Sequence, residues 1–326
     1  MRVAIISDEL TFSCLDKSVD LQVITQFNYR LLLRFVRPDF LIVESAWSGL
    51  RNKWKFKVAA YPDHPNRNNR ALLRVVDYAK DLGIPTVFWN KEDGVHFERF
   101  IDSAKHFDHI FTVDETCISR YREVVPESTT VNTLMFPVQT CFHSFEGFNF
   151  KTNRANFTGS YSNHIHGERR RRQDFLLKAA SDVIGLTVYD RNSDRKSSNY
   201  RYPDFGDMEI RSSVPHDKTA QIYRDHLVSL NVNTVVDSPT MYSRRLIEII
   251  GCGGIAVTTP AQSVDKYFQE YCYVVDSYEE AFELFTKLSH GPSAGDLERS
   301  RAGAEYVKQN HTWEHRLNDI ARVLGI

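Results

Sequence analysis

The chain has 326 residues, room for two domains of ordinary size, and its 42% hydrophobic and 25% charged content excludes disordered and fibrous classes. With 41 Lys and Arg against 42 Asp and Glu the formal net charge is -1, so there is no basic excess to argue for a nucleic-acid partner. Five scattered cysteines without a Cys-x-x-Cys pair read as reduced thiols. The short apolar start, broken at once by Asp8 and Glu9, is too brief for a signal peptide, and no apolar run approaches the roughly 20 residues that span a bilayer. A cytoplasmic protein without a transmembrane segment is expected.

In chain order, strands are predicted over residues 3–7, 39–44, 85–89 and 109–113, with helices over 27–36, 70–82 and 97–107 between them. The strand runs are continuously apolar, as in a parallel sheet covered on both faces. Gly83 and Pro85 mark the end of the second helix. The alternation lapses at 136–151, where Pro, Gly and aromatic residues suggest an interdomain connection. It resumes with a strand ending at 156–159, a helix over 168–180, and strands at 186–189, 226–231 and 255–259. Helices over 278–288, 297–309 and 313–324 close the chain, while polar residues 191–215 read as a long excursion. This pattern predicts an α/β protein of two Rossmann-type, doubly wound domains facing a central cleft. The expected bounds are 1–145, 146–304 and a C-terminal helix, 305–326, crossing back to the first domain.

The most informative segment is YRDHLVSLNVNTVVDSPTMYSRRLIEIIGCGGIAVTT, residues 223–259. Its helix carries Arg244 and Arg245 on a face shared with Glu248, followed by Gly253-Gly254, where backbone can pass close to a ligand. A carboxylate can accept ribose hydroxyls and a guanidinium can grip a diphosphate. The competing account is an intrahelical ion pair with a glycine cap. A second candidate is Gly159-Ser160-Tyr161, at a strand end before Glu168-Arg169-Arg170-Arg171-Arg172, where free helix N–H groups and arginines could hold phosphate. Tyr189 and Asn231, at further strand ends, complete the donor candidates. Glu92, Asp93 and His96 follow a strand end and are the candidate acceptor bases, with Asp93 alternatively capping the next helix. Glu44 ends another strand and could bind acceptor hydroxyls or pair with a neighbouring arginine. His164-Ile165-His166 lacks a third ligand, there is no Asp-x-Asp, and no metal is expected. Neither a Walker loop nor Gly-x-Gly-x-x-Gly occurs, which removes ATPase and dinucleotide oxidoreductase readings.

These motifs, taken together and in order, resemble the CgeB-type (spore maturation protein-like) glycosyltransferases, within the group 1-like GT-B enzymes. The likeness rests on Arg245-x-x-Glu248 with Gly253 and Gly254, on Leu230-Asn231 after Tyr223, and on His311-Thr312-Trp313 with Arg316. In the first half it rests on Arg37-Pro38-Asp39, Glu44-Ser45-Ala46-Trp47 and Trp89-Asn90-Lys91-Glu92-Asp93. The resemblance implies a UDP- or GDP-linked sugar donor, a glycan or glycoconjugate acceptor as in polysaccharide biosynthesis, no metal requirement and no nucleic-acid partner. One departure stands out: the first glutamate of the group's Glu-x7-Glu falls at Thr240. The rival readings are a non-hydrolysing nucleotide-sugar epimerase and a degenerate, non-catalytic scaffold.

Overall fold

The computed structural model describes residues 1–326 and divides into two compact units. The first comprises Met1–Phe136, Ser238–Met241 and Trp313–Ile326; the second comprises Pro137–Asp237 and Tyr242–Thr312.

The first unit is built on six parallel strands: β1 (Arg2–Ile6), β2 (Asp20–Val23), β3 (Phe40–Glu44), β4 (Thr86–Asn90), β5 (His109–Thr112) and β6 (Thr130–Thr133). Their spatial order is β2-β1-β3-β4-β5-β6. All five residues of β3 and of β4 are buried, as continuous apolar runs require when helices cover both faces. The Arg70–Asp81 helix stops where the punctuation predicts: Gly83 sits at φ +70°, and Ile84 N–H reaches the Ala79 carbonyl at 3.0 Å. Neither β2 nor β6 was expected, because each is a four-residue edge strand without an apolar run. The Trp313–Leu324 helix belongs to this unit, with Trp313 edge-on to Trp89 at 5.4 Å and Arg316 Nε donating to the Met135 carbonyl at 2.8 Å.

The second unit holds β7 (Thr152–Gly159), β8 (Leu186–Asp190), β9 (Met208–Ser212), β10 (His226–Asn231), β11 (Ile255–Thr258) and β12 (Tyr273–Val274), again all parallel. The order is β12-β11-β10-β7-β8-β9, so the winding direction reverses between β7 and β10. Reversal points of this kind open a crevice at the strand carboxyl ends, where ligands of open α/β sheets bind. The polar stretch 191–215 contains β9, which is exposed along most of its length and so lacks the apolar signature of a strand. Helices Gly167–Val183 and Tyr278–Ser289 pack Leu176, Leu177, Phe285 and Leu288 onto Val188 and Val228 of the sheet.

The Arg244–Gly251 helix follows the reversal point and buries Leu246, Ile247, Ile249 and Ile250. Ile250 packs so tightly on the Ala294–Asn310 helix that a Cβ added to Gly303 would stand 2.8 Å from its Cγ2. Ile250→Ala leaves a cavity there and should cost about 2–5 kcal/mol in urea unfolding; a loss under about 1 kcal/mol would show that this helix is not anchored by its apolar face.

Candidate functional site

The loops after β7 and β10 are tied together by polar side chains. Asn231 Nδ2 donates to Thr258 Oγ1 at 2.9 Å, and Asn233 Oδ1 accepts the Ser243 N–H at 3.0 Å, fixing the start of the Arg244–Gly251 helix. Arg245, on its first turn, turns back over the end of β7. Its Nε donates to the Thr158 carbonyl at 2.6 Å, Nη1 points to Asn231 Oδ1 at 3.4 Å, and the guanidinium lies 4.4 Å over the Phe157 ring. Only glycine fits beneath it, because a Cβ on Gly159 would stand 2.8 Å from Arg245 Nη2 and 2.5 Å from Phe157. The ion pair that helical spacing allowed between Arg245 and Glu248 is not formed.

Three more arginines gather at this corner. Arg169 Nη1 donates to Gln173 Oε1 at 2.9 Å, and Arg172 Nη2 to the Asn233 carbonyl at 3.4 Å, while Arg172 Nε is buried without a bond. Arg191 directly follows β8; its N–H donates to the Gly159 carbonyl at 2.8 Å and its Nη2 to Ser160 Oγ at 3.3 Å. Arg169, Arg172, Arg191 and Arg245 therefore bond only neutral oxygens, and none is in an ion pair. Burial, and then the charge of Arg245, pull Arg169 down to about 10. Arg245 is lowered by burial and by Arg191. An open pocket of about 330 Å³ borders Arg172, lined by Pro260, Ala261, Gln262 and Asp265. Like charges held together in a partly buried corner are unfavourable until an anion joins them.

Glu248 stands one helical turn beyond Arg245, buried, with Oε1 accepting from His216 Nε2 at 2.7 Å. Burial alone would raise this carboxyl, but the His143 and His216 imidazoles outweigh it and hold it at about 2. Arg244 contributes to this from four residues away. His143 is buried too, and burial pulls its imidazole down to about 4. Its tautomer follows from its partner. Thr219 Oγ1 donates its single proton to the His216 carbonyl at 2.7 Å, so His143 Nε2 must be the donor in the 2.8 Å contact with that oxygen. The His143 Nδ1 lone pair is left buried and unpartnered beside Glu248. Ligand atoms of His143, His216 and Glu248 lie within 4.8 Å of one another, a set that could also hold a cation. The separation of 143, 216 and 248 along the chain hid this trio from sequence reading, and the His164–His166 pair contributes nothing to it.

Several sequence candidates are placed elsewhere. Gly253 and Gly254 do not face a ligand: their N–H groups bond Ile250 and Ile249 carbonyls, and a Cβ on Gly253, at φ +72°, would meet Phe145 at 2.3 Å. They cap the helix and let Phe145 pack. Of the arginine run, Arg170 bonds the Asn163 carbonyl and Arg171 pairs in solvent with Glu168 at 2.7 Å; the inward pair is Arg169 and Arg172, three apart on the helix. Tyr161 is buried on Tyr202 with its hydroxyl on Asp174 at 2.6 Å. Tyr189 is engaged by Arg211 and His226 and bonds none of the cluster. Arg191, absent from the sequence candidates, could have been found by its place directly after a strand.

In the first unit, Glu44 accepts from Asp8 N–H at 2.5 Å and from Lys91 Nζ at 3.0 Å, so its partner is a lysine and not the expected arginine. Asp93 is not an open acceptor base. It is fully buried, accepts from Asn90 Nδ2 at 2.6 Å and Tyr121 Oη at 2.9 Å, and burial raises it to about 7. Nor does it cap a helix, since the next one begins at Phe97 with His96 in the cap position. Glu92 and His96 keep partial exposure, His96 lying edge-on to Trp47 at 5.2 Å. Thr240, where the first glutamate of Glu-x7-Glu would stand, is buried in this unit; its Oγ1 accepts from Glu115 N–H at 2.9 Å and donates to the Val113 carbonyl at 3.0 Å.

The second half matches the family model described as glycosyl transferase-like over residues 169–322, a span that includes all four clustered arginines and Glu248. No curated protein matches the chain by sequence. Solved structures match it along its whole length. An alpha-glucosyltransferase in complex with UDP-glucose and DNA containing an abasic site aligns at TM-score 0.66 and 11% identity, covering 100% of both chains. Anabaena Alr3699/HepE in complex with UDP and glucose aligns at 0.60 and 9%, covering 99% of this chain and 91% of that one. T4 phage BGT in complex with UDP and Mn2+ aligns at 0.59 and 10%, covering 100% of both. The chain has the GT-B fold of these solved structures, two parallel six-stranded sheets with flanking helices.

Two outcomes separate the glycines of the site from those of the scaffold. Gly159→Ala should displace Arg245 and weaken pyrophosphate binding at the arginine corner at least tenfold by calorimetry, with a smaller effect on melting. Gly253→Ala should do the reverse, lowering the melting temperature by several degrees while the folded fraction binds normally. Asp93 makes a pH prediction. Its folded carboxyl stays protonated to about 7 while the unfolded one ionises near the ordinary 3.8, so its stabilising effect is complete below about pH 4 and is lost as pH rises through 7. Asp93→Asn should remove that slope, sparing on the order of 2–4 kcal/mol of stability loss over this range; parallel stability profiles for wild type and variant would refute it.

Proposed function

We propose that the protein is a glycosyltransferase, moving a sugar from a UDP- or GDP-linked donor to a hydroxyl of a glycan or glycoconjugate. The observation that carries this reading is the cluster of Arg169, Arg172, Arg191 and Arg245, unpaired by any carboxylate, at the reversal point of the second sheet. A diphosphate supplies the missing negative charge. As the bond between the anomeric carbon and the phosphate oxygen breaks, charge grows on that oxygen, and guanidiniums already in place stabilise the transition state more than the bound donor. Such a cluster performs the charge neutralisation that other enzymes assign to a divalent ion, which supports a metal-independent reaction.

Ionised Glu248, oriented by His216, accepts one ribose hydroxyl, and the free lone pair of His143 Nδ1 accepts the other. The trio is assigned to hydroxyls rather than to a metal because the His216 N–H already donates to Glu248. With Asp93 buried, the acceptor proton falls to Glu92 or His96. Within the superfamily, the Arg245-x-x-Glu248 helix and the His311-Thr312-Trp313 element support the CgeB-type subgroup.

The test is thermal unfolding with UDP, GDP and ADP at millimolar concentration, each with and without EDTA. A ligand at 100 times its Kd adds about 2.7 kcal/mol, a shift of a few degrees. One nucleotide should give a shift that survives EDTA, disappears in Arg245→Gln and shrinks in Glu248→Gln. A shift abolished by EDTA would overturn metal independence. No shift with any nucleotide would overturn the donor site, and conversion of the donor sugar without an acceptor would point to an epimerase.

A further inference from the structure

The three most exposed large apolar side chains of the chain are Phe27 (90%), Phe35 (74%) and Leu31 (61%). Leu31 and Phe35 stand four residues apart on the helical segment formed by Tyr29–Leu31 and Leu32–Val36, whose inner face buries Tyr29 and Leu33, and Phe27 lies four residues before Leu31 in the turn that leads into it. Solvent-facing apolar residues at helical spacing are unfavourable in water and need a cover. The charges around them identify it. Residues 21–38 contain Arg30, Arg34 and Arg37 and no acidic residue; residues 45–62 contain four more cations, between 51 and 57, and again no acid. The two segments are joined by Gln26 Nε2 on the Lys53 carbonyl and Trp54 Nε1 on the Ile24 carbonyl, each at 2.9 Å. None of the seven cations is in an ion pair, in a protein whose net charge is only -1.

We propose that this face of the first unit docks on an anionic lipid surface, with Phe27, Leu31 and Phe35 entering the headgroup–acyl boundary and the basic residues meeting lipid phosphates. An apolar ridge flanked by Lys and Arg is the chemistry of an in-plane interfacial helix. Each cation near such a surface contributes about fivefold in partitioning. With one short helix and no segment able to cross a membrane, attachment is peripheral and reversible. A nucleic acid would use the same cations but gives no reason to expose Leu31, Phe35 and the preceding Phe27 to solvent. The inference stands on the first unit alone and does not depend on the donor site.

The experiment is co-sedimentation of the full chain with phosphatidylcholine vesicles, with and without phosphatidylglycerol. Binding should be at least tenfold stronger to the anionic vesicles and weaken with salt. Phe27→Ser/Phe35→Ser should reduce it at least tenfold. Arg34→Gln/Lys53→Gln should reduce it about 25-fold, from two cations at about fivefold each. All four side chains are exposed, so both variants should keep the wild-type melting temperature and nucleotide response. The proposal is overturned by equal binding to neutral and anionic vesicles, by no binding at all, or by variants that bind as wild type does. It is equally overturned if vesicles are ignored while a short DNA duplex binds this face, or while Phe27→Ser/Phe35→Ser converts a dimer of the chain to monomers.

Discussion

Four guanidiniums share one corner of the second unit without a counter-charge, and most of the surrounding structure serves to keep them there. Mutual repulsion and partial burial both oppose the arrangement. Backbone carbonyls and amide side chains hold it instead: Thr158 and Asn231 for Arg245, Gln173 for Arg169, Asn233 for Arg172, Ser160 for Arg191. These acceptors fix positions without cancelling charge, so the cluster's electrostatic energy stays available to an incoming anion. Carboxylates in the same places would have paired with the arginines and cancelled that charge.

The arrangement depends on strand order. In the sequence β7-β8-β9 winds one way from β7, and β10-β11-β12 the other, so the carboxyl ends of β7 and β10 are left with no crossover between them. Gly159 and Asn231 occupy those two ends, the helix from Arg244 follows one and the helix from Gly167 follows the other. Arg245 crosses from one half-sheet to the other, and the absent side chain at Gly159 makes the crossing possible. Glu248 is carried on the same helix, its carboxylate held by His216 Nε2 from a distant part of the unit.

Buried polar groups in the first unit are used differently. Asn90, Asp93 and Tyr121 satisfy one another in the interior, and Glu44 is closed off by Lys91 and the Asp8 backbone. Both acidic residues, Asp93 and Glu44, thus serve the scaffold. Glu92, one residue from Asp93, keeps partial exposure where Asp93 is buried.

Strand–helix alternation, the parallel class of both sheets and the candidate residues Arg245 and Glu248 were legible in the sequence, because continuous apolar runs, helical spacing and glycine punctuation are local signals. It also showed Gly159 and the arginine run. Short or exposed edge strands such as β2, β6 and β9 were not legible, since they owe their form to a neighbouring strand and not to an apolar pattern. Tertiary structure alone decided that Gly253 seats Phe145, that Asp93 is interior, that Arg172 and Arg191 join the cluster while Arg170 does not, and that His143 and His216 meet Glu248. Each of those outcomes turns on the direction of a side chain or on contacts between residues tens of positions apart, which no local pattern encodes.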